Sequence, residues 1–209
     1  MARRLALSLS LLLAAAGSFA ATPQPAPGCA SSRSELKAVN VTELVLKHKG
    51  ELDLKSQAGC LKLENGMELP AFLLELPPFE FPYAIRMEAP MGGGTYLLPR
   101  IDILDAEFKS VRTFPAARFK RRGIEMSLEV FINPSNAPER YVLIYADPDH
   151  LGEQDLQTTS VSKMLFVGTG FFIAGDDKTT ARHSASEGKL TVSLVGEQWD
   201  RALRNAGHH

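Results

Sequence analysis

Apolar and polar residues alternate with period two over much of this chain. Ile124, Met126, Leu128, Val130 and Ile132 form one side of the longest such run, with Glu125, Ser127 and Glu129 on the other. That is the pattern of a half-buried strand, whose successive side chains face opposite ways. Glu51 to Lys55 and Leu61 to Leu63 repeat it on a shorter scale, and Asn65-Gly66 supplies a turn signal after them. Ala71 to Leu76 continues the pattern until Pro77-Pro78 stops it. Tyr83 to Glu88 and Tyr96 to Leu104 are further strands, separated by a loop containing Gly92-Gly93-Gly94; Pro99 inside the second predicts an edge or a bulge. Tyr141 to Ala146 is a continuous apolar, β-branched and aromatic run, which predicts a buried strand. The turn cluster Asn133 to Pro138 before it predicts a hairpin with the Ile124–Ile132 run. Thr42 to Lys47, apolar with polar flanks, is read with the strands.

Helical signals are scarce. Asp149 to Thr158 has a capping residue, an early Glu153 and apolar Leu151 and Leu156, which predicts one short surface helix. The tail from Glu197 offers a second. Strands at turn-separated spacing, without an alternating helix pattern, predict a mainly β protein: an antiparallel β-sandwich, jelly-roll-like, with one or two short helices. The sandwich is expected over 35–196, with a short C-terminal tail over 197–209.

The N-terminus changes the picture by setting a compartment. Arg3 and Arg4, the apolar run Leu5 to Ala16, and Ser18-Phe19-Ala20 are the three parts of a secretory signal peptide, cleaved near Ala20. The apolar run falls short of the roughly 20 residues that a bilayer core requires, so a membrane-spanning reading is disfavoured. Residues 21–34, rich in Pro, Ala and Ser, are expected to form a poorly ordered leader. The two cysteines, Cys29 and Cys60, fit an oxidising compartment, where they would close a loop of about 30 residues worth roughly 3–4 kcal/mol. The rival reading makes Cys29 a lipidated N-terminus; the Thr22–Gly28 stretch between it and the apolar core weighs against that. A formal net charge of −1 argues against nucleic acid or anionic lipid as a generally electrostatic partner.

No catalytic constellation stands out. The chain carries no Gly-x-Ser-x-Gly elbow, and His183 and Ser184, adjacent in an extended segment, would point apart. His48, His150, His183, His208 and His209 are scattered without metal-ligand spacing, so neither a metal nor another cofactor is expected. Asp147, Asp149 and Asp155 read as a solvated acidic turn. Arg118, Lys120, Arg121 and Arg122 read as a solvated turn ending at Gly123. The candidate ligand contacts are Phe79, Phe81 and Trp199, whose rings could stack on a sugar face, together with Arg182 and His183. The bland alternatives are core aromatics for the first group and satisfaction of backbone carbonyls for the second.

One segment carries a family resemblance. The strand at Tyr141, the run Asp155-Leu-Gln-Thr-Thr159, Gly168, the run Ala181-Arg-His-Ser184 and the final strand Leu190 to Leu194 follow one another in an order that resembles the maltose operon periplasmic protein family (MalM-like). The resemblance covers roughly Tyr96 to Val195. It implies a periplasmic, non-catalytic accessory role in maltose or maltodextrin transport. The implied partner is maltodextrin or another glycan, or a transport protein of the outer membrane or periplasm. The longest members carry a linker and helical tail beyond the sandwich, whereas this sequence ends soon after Trp199. An envelope interaction module without sugar affinity, and an unrecognised hydrolase, remain the alternatives.

Overall fold

The computed structural model describes residues 28–167 and 170–205. The expected signal peptide, the first part of the leader, Gly168, His208 and His209 lie outside the described residues. The chain runs β1 (Ala38–Asn40), α1 (Val41–His48), β2 (Glu51–Asp53), β3 (Gly59–Lys62), β4 (Glu68–Glu75), β5 (Tyr83–Pro90), β6 (Thr95–Leu97) and β7 (Pro99–Leu104). It continues through β8 (Ser110–Phe114), β9 (Lys120–Arg122), β10 (Glu125–Ile132), β11 (Tyr141–Ala146), β12 (Gln154–Val167), β13 (Gly170–Ala185), β14 (Lys189–Val195) and α2 (Glu197–Asn205). The protein is mainly β, as its periodicity predicts.

Two sheets form the sandwich. The first has the order β1-β4-β11-β7-β8, with β3 also on β4; the second has the order β2-β14-β5-β10-β9. Their facing residues merge into one core. Phe72, Leu74, Ile101, Ile103, Val142 and Ile144 come from the first sheet, and Ile85, Met87, Leu128, Val130, Val192 and Leu194 from the second. Alternation alone sorts these residues, because odd and even positions of one strand belong to opposite faces. The first sheet is also buried on its outer face, where Leu69, Leu73, Leu104, Leu143 and Tyr145 join Leu36 and Leu61 in a second apolar cluster. Burial on both sides explains why β11 is apolar at nearly every position.

The outer face is covered by the N-terminal segment. Cys29 and Cys60 are joined in a disulfide, the Ala30 N–H donates to the Cys60 carbonyl at 2.9 Å, and the Lys62 N–H donates to the Ala30 carbonyl at 2.9 Å. At Cys29 and Ala30 the stretch read as leader is therefore tied to β3. The Asn65-Gly66 turn joins β3 to β4 as expected: Gly66 has φ +83°, and the Leu63 N–H donates to the Met67 carbonyl at 2.8 Å.

Four local expectations are corrected. Thr42 to Lys47 lies in the helix α1, whose N-cap Asn40 accepts from the Glu43 N–H and whose Lys47 reaches back to Glu43. Val41, Leu44 and Val45 are its buried face, a helical spacing hidden in a short segment. The helix ends in left-handed Lys49 followed by Gly50 (φ +70°), packed so closely on β14 that a Cβ at Gly50 would lie 1.8 Å from the Val192 carbonyl oxygen. Only glycine fits there.

The expected helix over Asp149 to Thr158 is instead a 3₁₀ turn, Pro148–His150, followed by β12. Asp147 is the cap, and the Thr-rich stretch pairs with β13, Thr158 meeting Thr179 hydroxyl to hydroxyl at 3.0 Å. Cross-strand pairing of β-branched residues outweighs the weak helix signal. The predicted hairpin between β10 and β11 does not form, because β10 pairs with β5 and β9 while β11 pairs with β4 and β7. The Asn133–Arg140 connection crosses between sheets, held by Glu139, which is buried and takes a bidentate contact from Arg112 of β8. Finally, Ile124 lies just before β10 and is 59% exposed, so only Met126, Leu128, Val130 and Ile132 of the predicted face are buried. Pro99 opens β7, a position whose missing N–H a strand tolerates.

β12 and β13 form a long two-stranded arm, in register from Gln154–His183 to Val167–Gly170. A third strand, β6, joins it only at His183–Ala185. Among the described residues no helix is long and apolar enough to cross a membrane.

Candidate functional site

The outer face of the first sheet carries a polar pocket of about 740 Å³. It is built where the apolar cover stops. Strand β7 places Arg100 and Asp102 at alternate positions, both turned away from the main core. Asp102 is 3% exposed, although it sits between Ile101 and Ile103. Its burial is compensated: the Tyr145 hydroxyl donates to Oδ2 at 2.9 Å and the Thr113 hydroxyl to Oδ1 at 2.7 Å. The Arg33 guanidinium lies 3.8 Å from Oδ2. A buried carboxylate with two donors and a nearby cation is an ordered, fully engaged anchor.

Arg100 faces two carboxylates, Asp147 at 3.6 Å and Asp149 at 3.5 Å. The acidic turn is therefore only partly solvated. Asp147 is buried, accepts the Ala116 N–H at 2.8 Å, and ties the Pro148 turn to the 3₁₀ turn Ala116–Arg118 after β8; Asp149 remains at the surface. Burial, then the neighbouring Asp102 charge and hydrogen bond, push the Tyr145 phenol well above its ordinary value, so it stays a neutral donor. The pocket wall is completed by Ser31 to Ser34 and by the β3–β4 turn at Asn65. Phe108, also in the lining, stacks on Tyr141 with centroids 4.6 Å apart. The lining thus combines fixed acceptors, fixed donors and ring surface in a space within the usual ligand-pocket range of roughly 300–1,000 Å³.

A second polar node stands at the base of the arm. Arg182 is 2% exposed; it donates to Asp155 and to the Met91 carbonyl, and lies over the Tyr96 ring at 5.6 Å. Arg121 reaches Asp155 from β9 at 3.1 Å. Hydrogen bonding from Arg182 outweighs burial and, with Arg121, holds Asp155 below the usual carboxylate range. The sign follows from linkage. The ion pair contributes fully above the ordinary unfolded carboxylate value of about 4, and is lost as pH falls through the lower folded value. Thermal melts of the wild type should lose stability below about pH 4 more steeply than those of Asp155→Asn. Next door, the Ser184 hydroxyl donates to the His150 carbonyl and accepts from the Glu153 N–H. Tyr96, Arg121 and Asp155 line a smaller pocket of about 260 Å³.

The residues singled out from sequence are not brought together. Arg182 is buried in the arm's base, while His183, its neighbour, is exposed on the opposite face and donates its N–H to the Gly94 carbonyl at 3.1 Å. Phe79 and Trp199 are half-buried against the main core, and Trp199 meets Tyr83 edge to face at 6.3 Å. Phe81 is 60% exposed. Asp102 and Arg33 were missed by sequence reasoning. An acid inside the apolar Ile101–Leu104 run was a signal for the first, since a charge in such a strand needs buried partners. Arg33 had none, because its segment reads as leader.

Comparison of the chain with protein-family models, curated proteins and solved structures finds no match.

Proposed function

We propose that this chain is an exported, non-catalytic accessory protein of carbohydrate uptake, of the maltose-operon kind that its sequence resembles, and that it holds a maltodextrin or related glycan in the outer-face pocket. The observation that carries this reading is the pocket's lining. Sugar hydroxyls are both donors and acceptors, and they are met by carboxylates, guanidinium groups, hydroxyls and Asn65 side by side, with ring surface for the C–H faces. Asp102 supports a binding role over a catalytic one, because both its oxygens already accept hydrogen bonds. Export is supported by the tripartite N-terminus and by the Cys29–Cys60 disulfide. The periplasm is the compartment that the resemblance implies.

Titration calorimetry of the mature chain with malto-oligosaccharides tests the reading. Saturable binding is expected, and Arg33→Ala should weaken it about tenfold or more, the scale of one lost hydrogen bond to a charged group. Arg33 is a third exposed, so this change should leave folding nearly intact. Absence of binding to any α-glucan would defeat the glycan reading and favour an envelope interaction module.

A further inference from the structure

The paired strand positions at the far end of the β12–β13 arm are apolar apart from Gly170. Met164-Leu-Phe-Val167 faces Gly170-Phe-Phe-Ile-Ala174, with Met164 opposite Ile173, Leu165 opposite Phe172 and Phe166 opposite Phe171. Successive positions of a ribbon belong to opposite faces, so this composition leaves neither face polar. The change is abrupt. Lys163, Asp176, Asp177 and Lys178 flank the tip, and the stem below them is rich in Thr and Ser. Among the described residues no third strand pairs with the arm beyond His183. The tip begins about 30 Å from the Arg182–Asp155 clamp at the rise of an extended strand.

We propose that this tip is a membrane-surface contact that seats in the headgroup–acyl boundary of a bilayer. An apolar, open-edged ribbon left in water is an aggregation liability, so its working state has a cover. A protein groove or a second copy would cover one face or one edge, whereas lipid can meet both faces and both edges of the paired strands. Charged residues flanking an apolar strand oppose edge-to-edge pairing with another copy, and four of them flank the tip in the sequence. Depth follows from the backbone. Open ribbon edges are not tolerated in hydrocarbon, and four residue pairs extend about 13 Å, short of the roughly 9–11 residues per strand that spanning requires. Interfacial seating is the outcome compatible with both limits. The two lysines and two aspartates cancel, so the contact requires no anionic lipid. The inference is independent of the glycan reading.

Flotation of the full mature chain with phosphatidylcholine vesicles, with and without phosphatidylglycerol, tests it. Wild type should float with both, and Phe171→Asp with Phe172→Asp should lower the bound fraction at least about tenfold. A shortened arm, with residues 163–174 replaced by Asn-Gly to close the ribbon at the Ser162–Gly175 pair, should lose binding while the sandwich melts as before. Phe171→Trp should show a blue-shifted emission on adding vesicles. Failure of the wild type to float, equal flotation of all variants, or a wild-type dimer abolished by shortening the arm would each overturn the proposal.

Discussion

Arg182→Met should lower the unfolding free energy by about 2–3 kcal/mol, the scale of losing hydrogen bonds from a buried charged group whose partner Asp155 is part-exposed and keeps a second cation. Its guanidinium is almost wholly buried and joins three separate pieces of chain: Asp155 on β12, the Met91 carbonyl before β6, and the Tyr96 ring. Methionine fills similar volume, so the loss reports missing electrostatics and hydrogen bonds more than an empty cavity. Asp155 would keep only Arg121, and the Met91 carbonyl would lose this donor. Combining Arg182→Met with Asp155→Asn should recover part of the loss, because the stranded charge is then gone. Urea unfolding of the three variants measures this. Equal stability of Arg182→Met and wild type would show that the arm is anchored by backbone pairing to β6 alone. Limited proteolysis adds a local readout: a loosened arm should be cut near Glu153–Gln157 before the sandwich unfolds.

The legible parts of this fold are those whose determinants lie within one segment. The alternation in β10, the apolar run of β11 and the Asn65-Gly66 turn each carry their own instruction, and the structure has all three. Where two segments decide together, local reading fails. Leu151 and Leu156 look like a helix face until Lys178–Arg182 offers a pairing partner, after which Leu156 stands 64% exposed on a strand. The β10–β11 connection reads as a hairpin because a turn cluster does not say which sheet receives the next strand. Helix α1 was findable, since Asn40 and Glu43 mark its start and Lys49-Gly50 its end. The polar pocket is the least legible feature. It draws Arg33 from the N-terminal segment, Arg100 and Asp102 from β7, Thr113 from β8 and Tyr145 from β11. Only Asp102, a charge in an apolar strand, hinted at it.

Replacing Cys29 and Cys60 together by serine should cost about 3–4 kcal/mol of stability, the chain-entropy value for a closed loop of this length. The same change should weaken glycan binding. Ser31 to Ser34 form one wall of the pocket, and Arg33 reaches across it to Asp102 and to the Phe108 carbonyl at 3.4 Å. That wall is held at one end by Leu36 in the outer apolar cluster, and at the other by the disulfide and the Ala30 hydrogen bonds. Without the covalent tie, the cost of ordering the segment is added to every binding event. Arg33→Ala and the double serine variant therefore separate contact from preorganisation. The first should lose affinity at nearly unchanged stability, and the second should lose both. Urea unfolding and calorimetry on wild type, with and without a thiol reductant, supply the control, since reduced wild type should match the double variant in both measurements. Unchanged stability on reduction would mean that the second apolar cluster alone holds the N-terminal segment. The pocket wall would then belong to the sheet's own packing, and the tie between its shape and an oxidising compartment would be gone.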